Sequence, residues 1–354
     1  MSQHRIKNRV VAALCLLLSV LLLRAPALAA EGFAEGLRLC VETVLPALFP
    51  FFVLCEWLIS LRGPHPLLRR VSRFLGFGRE EGVLALLLSW FGGYAVCARL
   101  TGRLARNGTL TERESAFLLM LGCCSSPGFV IGCVGGLMLG SIKLGVLLYA
   151  LQLAANLIST LACLPLLPAR RVASGRAACA ETAEPAGFSP AVSSAVSSCL
   201  NVCGCVVFFR TLGAAAEPFL PHIPQVRPLL SALQEITAGC ADFAALGGRA
   251  ALYGCCLCLS ALGLSVWAQL ALLLQGAASL RLLALNRLLH LLLLPALTAG
   301  AVRLLPGVLP VYRSLPARVI PAHRLAPDAA LVAFLFLCAA LYKLRQNFYN
   351  RKNQ

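Results

Sequence analysis

Six polar residues stand out because each lies in or near a glycine- or proline-marked interruption of a hydrophobic run: Ser125 and Ser126, Glu235 and Thr237, Ser265 and Gln269. Hydroxyl, amide and carboxyl groups at a helix break suit the binding of a small polar solute or an ion. A half-helix aims its N-terminal amides at anions and its bare C-terminal carbonyls at cations. Glu235 is the natural coupling or gating carboxylate of this set, since an acid inside a bilayer is costly unless it binds something. The same carboxylate could instead cap a helix through neighbouring amides. Enzymatic chemistry fits poorly. Ser125 and Ser126 have no recognisable partner histidine and acid, His290 is alone in an apolar helix, and no Walker loop, dinucleotide fingerprint or HExxH motif is present.

Seventeen cysteines invite a metal or disulfide reading, most of all Cys255, Cys256 and Cys258. No paired CxxC or Cys/His set stands at zinc spacing. Cys15, Cys40, Cys133, Cys163, Cys199, Cys205 and Cys338 sit within apolar runs, where cysteine packs as a small hydrophobe. No metal or resident cofactor is expected, and a coupling cation, Na+ or H+, is the only ion that the carboxylate suggests.

The elements that must position these residues are membrane helices. A chain of 354 residues that is 59% hydrophobic and 13% charged, with mean hydropathy +0.82, lies outside the soluble globular range. Apolar runs such as Leu37–Ser60, Leu144–Leu167 and Ala329–Tyr342 with its neighbours approach the roughly 20 residues that a spanning helix needs. The net charge of +17 comes from 31 Lys and Arg against 14 Asp and Glu, and arginine-rich loops answer to topology and anionic lipid rather than to nucleic acid. The basic start followed by Val10–Leu23 and Ala27-Leu28-Ala29-Ala30 reads as a first helix kept with its N-terminus inside, with cleavage after Ala29 as the rival.

Two segments are too short or too polar for a simple crossing. Val83–Ala98 offers 16 uncharged residues, about 24 Å of helix against a hydrocarbon layer of roughly 30 Å, and carries Gly92-Gly93-Tyr94 at its middle. Arginines flank it on both sides, which puts both ends on the cytoplasmic face. Pro228–Gly248 has Gly239 at its centre and holds Glu235 and Asp242. Both read as re-entrant helical hairpins. Between them, Ala116–Leu139 is interrupted at Cys123-Cys124-Ser125-Ser126-Pro127-Gly128, Gln152 and Asn156 share one face of the following helix, and Ala250–Gln275 is interrupted near Gly263-Leu264-Ser265. Thr111 and Glu114 have the spacing of a capping box.

The resulting expectation is an all-α polytopic protein of about eight transmembrane helices plus two re-entrant hairpins in an inverted repeat. Its divisions are an N-terminal helix over 1–30, a first repeat over 31–168, a cytoplasmic linker over 169–189, a second repeat over 190–302, a basic loop over 303–327, and a last helix with a basic tail over 328–354. The count places the basic loop outside, against the positive-inside rule.

These motifs resemble those of the YlbJ-type sporulation integral membrane proteins, in the nucleoside-recognition or Gate group. Gly93-Tyr94-Ala95-Val96-Cys97-Ala98-Arg99 is similar to that family's GYPVGAK, Glu235-Ile236-Thr237-Ala238-Gly239 to EITNG, Leu264-Ser265-Val266-Trp267-Ala268-Gln269 to LSIHAQ, and Phe129-Val130-Ile131-Gly132-Cys133-Val134-Gly135 to FIIGTVG. The layout is also similar to that of concentrative nucleoside transporters, where two hairpins and two broken helices enclose substrate and coupling cation. The resemblance implies a site at Gly93, Tyr94, Ser125, Ser126, Glu235, Thr237, Ser265 and Gln269 for a small polar solute, nucleoside-like in the family's terms, in a multi-pass protein of the cell membrane. A homo-oligomer follows by analogy with those transporters. Two departures stand out: the first hairpin tip, Gly92-Gly93-Tyr94-Ala95, has no acidic group, and Cys123-Cys124 replace an asparagine pair. A non-transporting structural or assembly protein of the spore membrane is the alternative.

Overall fold

The computed structural model describes residues 2–60, 66–169, 187–219 and 226–304, and these are helices and turns without a strand. The expected last span at Ala329–Tyr342, most of the 169–189 linker and nearly all of the 303–327 loop lie outside the described residues.

Helix α1 (Ser2–Arg24) meets α2 (Pro26–Leu39) at a bend of 101°. Ala25 between them leaves the helical region (φ −135, ψ 60), as a residue preceding proline tends to. Helix α2 lies against α8 (Phe188–Ala216) through Gly32 and Gly36, where a Cβ would come within 2.5 Å of Ala214 Cβ and 2.9 Å of Val207 Cα. This spacing of small residues lets two membrane helices touch backbone to backbone. The chain widens into a π turn at Cys40–Val44 and continues as α3 (Leu45–Ser60). Pro46, four residues after Glu42, has no amide to return to that carbonyl, and the wider turn accommodates the mismatch. Glu42 is exposed, whereas Glu56 is partly buried and pairs with Arg99 at 3.1 Å.

Next comes α4 (Pro66–Leu75), a short amphipathic helix. It leads into α5 (Glu80–Arg106), long and apolar enough to cross a membrane but broken at Gly93 (φ 82, ψ −172), a backbone conformation essentially restricted to glycine. Leu86 and Ser89 before the break and Cys97 after it all come within 3.4 Å of the point where a Cβ on Gly122 would sit. Residues 86 and 97 would be about 16 Å apart along a straight helix. The chain of α5 is therefore bent at Gly93.

Helix α6 (Glu112–Gly122) starts at a capping box in which Glu114 N donates to Thr111 Oγ1 and Thr111 N to Glu114 Oε2. It ends at an unwound stretch, Cys123–Ser126, after which the chain resumes as a π-type helix over Gly128–Met138 and then as α7 (Ile142–Cys163). In the second half, α9 (Val226–Gln234) and α10 (Ile236–Leu246) pack against each other so closely that a Cβ on Gly239 would lie 2.5 Å from Ala232 Cα. The turn falls at Gln234–Glu235: Gly239 supplies the close approach between arms, and Glu235 begins the second arm. Helices α11 (Gly248–Ala261) and α12 (Gly263–Leu274) are separated by left-handed Leu262 and Gly263 (φ 69 and 70), and α13 (Arg281–Leu304) follows.

By length and apolarity five of the described helical segments could cross a membrane, six if the bent α1–α2 pair counts as one. The expected total of eight includes a span outside the described residues. The two halves contact in a crosswise pattern, with α12 on α5 and α10 on the 128–138 helix.

Candidate functional site

In each half a break in the backbone meets a turn. Gly93 lies against the unwound stretch of the first half, where its Cβ position is 3.1 Å from Ser126 N and 3.5 Å from Cys124 O. Gly263 lies against the turn of the second half, 3.1 Å from Ala232 O and 3.2 Å from Gln234 O. Side chains answer the backbone groups that these breaks release. Tyr149 Oη donates to Trp90 O at 2.6 Å, Trp267 Nε1 donates to Ala261 O at 3.1 Å, and Gln152 both accepts from Ser125 N and donates to Ser125 O.

At the centre, a small cavity is lined by Gly92–Ala95 from the first turn, Ser126 and Phe129 from the first broken helix, and Glu235 and Thr237 from the second turn. Val44, Leu48, Val202 and Val206 close it with apolar side chains. Its volume is about 20 Å³, room for about one water and far below the several hundred Å³ typical of a small-molecule site. Glu235 is 1% exposed. Its Oε2 accepts from Ala238 N at 2.7 Å, so the carboxyl group caps α10 while facing the cavity. Ser126 Oγ likewise accepts from Phe129 N at 3.3 Å at the start of the resumed helix. Two helix N-termini thus converge on one space, each with a side-chain oxygen already on its amides.

Of the residues singled out in the sequence, Gly93, Tyr94, Ser126, Glu235 and Thr237 line this cavity together. Ser125 does not; its backbone is held by Gln152 and its hydroxyl has no partner. Ser265 and Gln269 pair with each other one turn apart on α12, at 3.1 Å, away from the cavity lining. Asp242 accepts from Ser231 Oγ across the second hairpin, which makes it a brace between arms. Arg99 bonds Glu56, Ser194 and Ser198, tying α5 to α3 and α8. No group of three or more His, Cys, Asp or Glu that could hold a metal occurs among the described residues.

A curated protein of Bacillus subtilis, the sporulation integral membrane protein YlbJ, is 27% identical to this chain over 164 residues, 44% of this chain and 39% of the relative. No family model and no solved structure matches. With the apolar helices above, the match decides the class. This is a multi-pass integral membrane protein.

A second polar cluster, of which the sequence singled out His290, Gln152 and Asn156 but not Asn286 or Arg287, lies behind the unwound stretch. Arg287 Nη2 donates to Cys123 O and, at 2.8 Å, to Asn156 Oδ1. Asn286 Nδ2 donates to Ser159 Oγ at 2.8 Å, and His290 bridges Ser260 Oγ (2.9 Å) and Gln152 O (3.4 Å). A layer of hydrogen bonds therefore runs from the first broken helix through α7 and α13 to the second. The signal was available: an arginine seven residues into an apolar span is by itself a functional flag. The repeated leucines around it read as an uninterrupted span and masked it.

Proposed function

We propose that this protein is a sporulation-associated membrane protein of the Gate type whose core handles a small polar solute, with Glu235 as its coupling or gating carboxylate. The observation that carries the reading is the convergence of both turns and an unwound helix on one cavity that contains a buried acid. The α5 arms and the α9–α10 pair are two re-entrant hairpins in oppositely oriented halves, entering from opposite leaflets. Support comes from the bend of α5 at Gly93, from the close packing of α9 on α10 about Gln234–Glu235, from the arginines at both ends of α5, and from the crosswise packing of the halves. The cavity of about 20 Å³ corresponds to a closed state, and solute enters when a hairpin moves. The name of the relative supplies the sporulation context.

Uptake and spore formation test this reading. Glu235→Gln and Glu235→Ala, at normal membrane insertion, should each reduce solute uptake and sporulation; two variants that leave both unchanged would sink it.

One observation favours a second reading, a non-transporting assembly protein that uses the fold as a docking platform. The cavity is too small for a nucleoside, and the first turn contributes no charged side chain. Flux of labelled nucleosides and other small polar solutes in reconstituted vesicles separates the two, since a platform gives none above empty vesicles.

A further inference from the structure

Arg287 is 3% exposed, and no carboxylate pairs with it among the described residues. A guanidinium stays charged at any physiological pH, so it cannot escape the cost of burial by losing a proton. Cys123 O and Asn156 Oδ1 satisfy Nη2, whereas Nε and Nη1 have no partner. The carbonyl end of α6 offers only about half a negative charge, less than the full charge that needs balancing. Ser125 Oγ, two residues along the unwound stretch, is also buried without a partner. The surroundings thus hold one whole positive charge, unused donors and no acid, a set that fits a negatively charged oxygen ligand.

The position fits as well. Arg287 holds the carbonyl of Cys123, and the next carbonyl, that of Cys124, faces Gly93 of the cavity lining. A single strip of unwound chain stands between the guanidinium and the first turn. We propose that Arg287 recognises an oxyanion group, carboxylate or phosphate, on the solute that this core handles, and that it becomes reachable when the turn at Gly93 moves off the unwound stretch. This deepens the transport reading and rests on it for the identity of the ligand as a solute.

Thermal unfolding of the full chain, purified in nanodiscs and titrated with sodium acetate or sodium phosphate against sodium chloride at matched ionic strength, tests the site directly. At least one oxyanion should raise the midpoint by about 2–5 °C. Arg287→Gln should abolish that rise. Asn156→Asp places a carboxylate where Asn156 Oδ1 now accepts from Arg287, so it supplies the missing counter-charge from within and should also abolish the rise while keeping the guanidinium in place. The proposal is overturned if neither oxyanion stabilises the wild type beyond chloride, or if Asn156→Asp or a folded Arg287→Gln responds as the wild type does. The two readings fail separately: an oxyanion response without any vesicle flux leaves the Arg287 site standing and removes transport, while flux of a neutral solute without an oxyanion response does the reverse.

Discussion

Gly93 and Ser126 touch through their main chains, with the Cβ position of Gly93 only 3.1 Å from the Ser126 amide nitrogen. The turn of one element and the break of another are thereby fixed to each other before any side chain takes part. Gly93→Ala combines a φ of 82 with that close contact and should destabilise the protein by about 1–3 kcal/mol in thermal or denaturant unfolding. Gly132→Ala, in a helix with nothing within 4 Å of the new methyl, is the control and should be neutral or slightly stabilising.

The helix over 128–138 and α7 meet at Gly135 and Gly145, where a Cβ on Gly135 would lie 2.4 Å from Gly145 Cα. Gly135→Ala must push the two helices apart, at a cost of about 1–3 kcal/mol, read as a lower unfolding midpoint. Restoration by a second small-residue change is not expected, because backbone atoms make the contact.

Arg99 and Glu56 form a partly buried pair that also recruits Ser194 and Ser198. A double-mutant cycle of Arg99→Gln and Glu56→Gln should give a coupling energy of about 0.5–3 kcal/mol. Arg99→Lys should lose part of the stability, because an ammonium cannot serve three partners in a plane. A coupling near zero would show that the pair does not hold α5 to α3.

Glu235 makes two separable contributions. Its oxygen on Ala238 N caps α10, so Glu235→Ala should cost about 0.5–2 kcal/mol in stability, whereas Glu235→Gln keeps an acceptor and should cost less. If the carboxylate also couples or gates, both variants should impair uptake, and their difference in stability should not predict their difference in uptake.

Cys97, Cys123, Cys124 and Cys240 are fully buried around the breaks. Peptide-level mass spectrometry after brief maleimide treatment should find little label on those four, and label on all of them once the protein is unfolded in denaturant. A solute or variant that opens the first turn should raise labelling of Cys97, Cys123 or Cys124.

The two interruptions at glycine were legible because glycine and proline act locally, whatever the surroundings: Gly93 takes a backbone conformation that few other residues accept, and Ser126-Pro127-Gly128 stops one helix and starts another. In the second turn Gly239 has a packing role rather than a conformational one, and the backbone turns at Gln234–Glu235 instead. Only the distance to Ala232 separates those two uses of glycine. The capping box was legible for the same local reason, since its bonds join residues three apart. Ser265 and Gln269 matched the pattern but lie away from the cavity lining, with Gln269 Nε2 donating to Ser265 Oγ. Arg287 had its partners 131 and 164 positions away in sequence, which no local pattern reveals.

Because Gly93 and Gly263 meet their neighbours through carbonyls and amides, the seam that shuts the core is written in chain geometry rather than in side-chain identity. Substitutions can accumulate around such a seam without opening it. Divergent kin of this protein should therefore keep the glycines and the spacing between them long after the residues that choose the cargo have drifted apart.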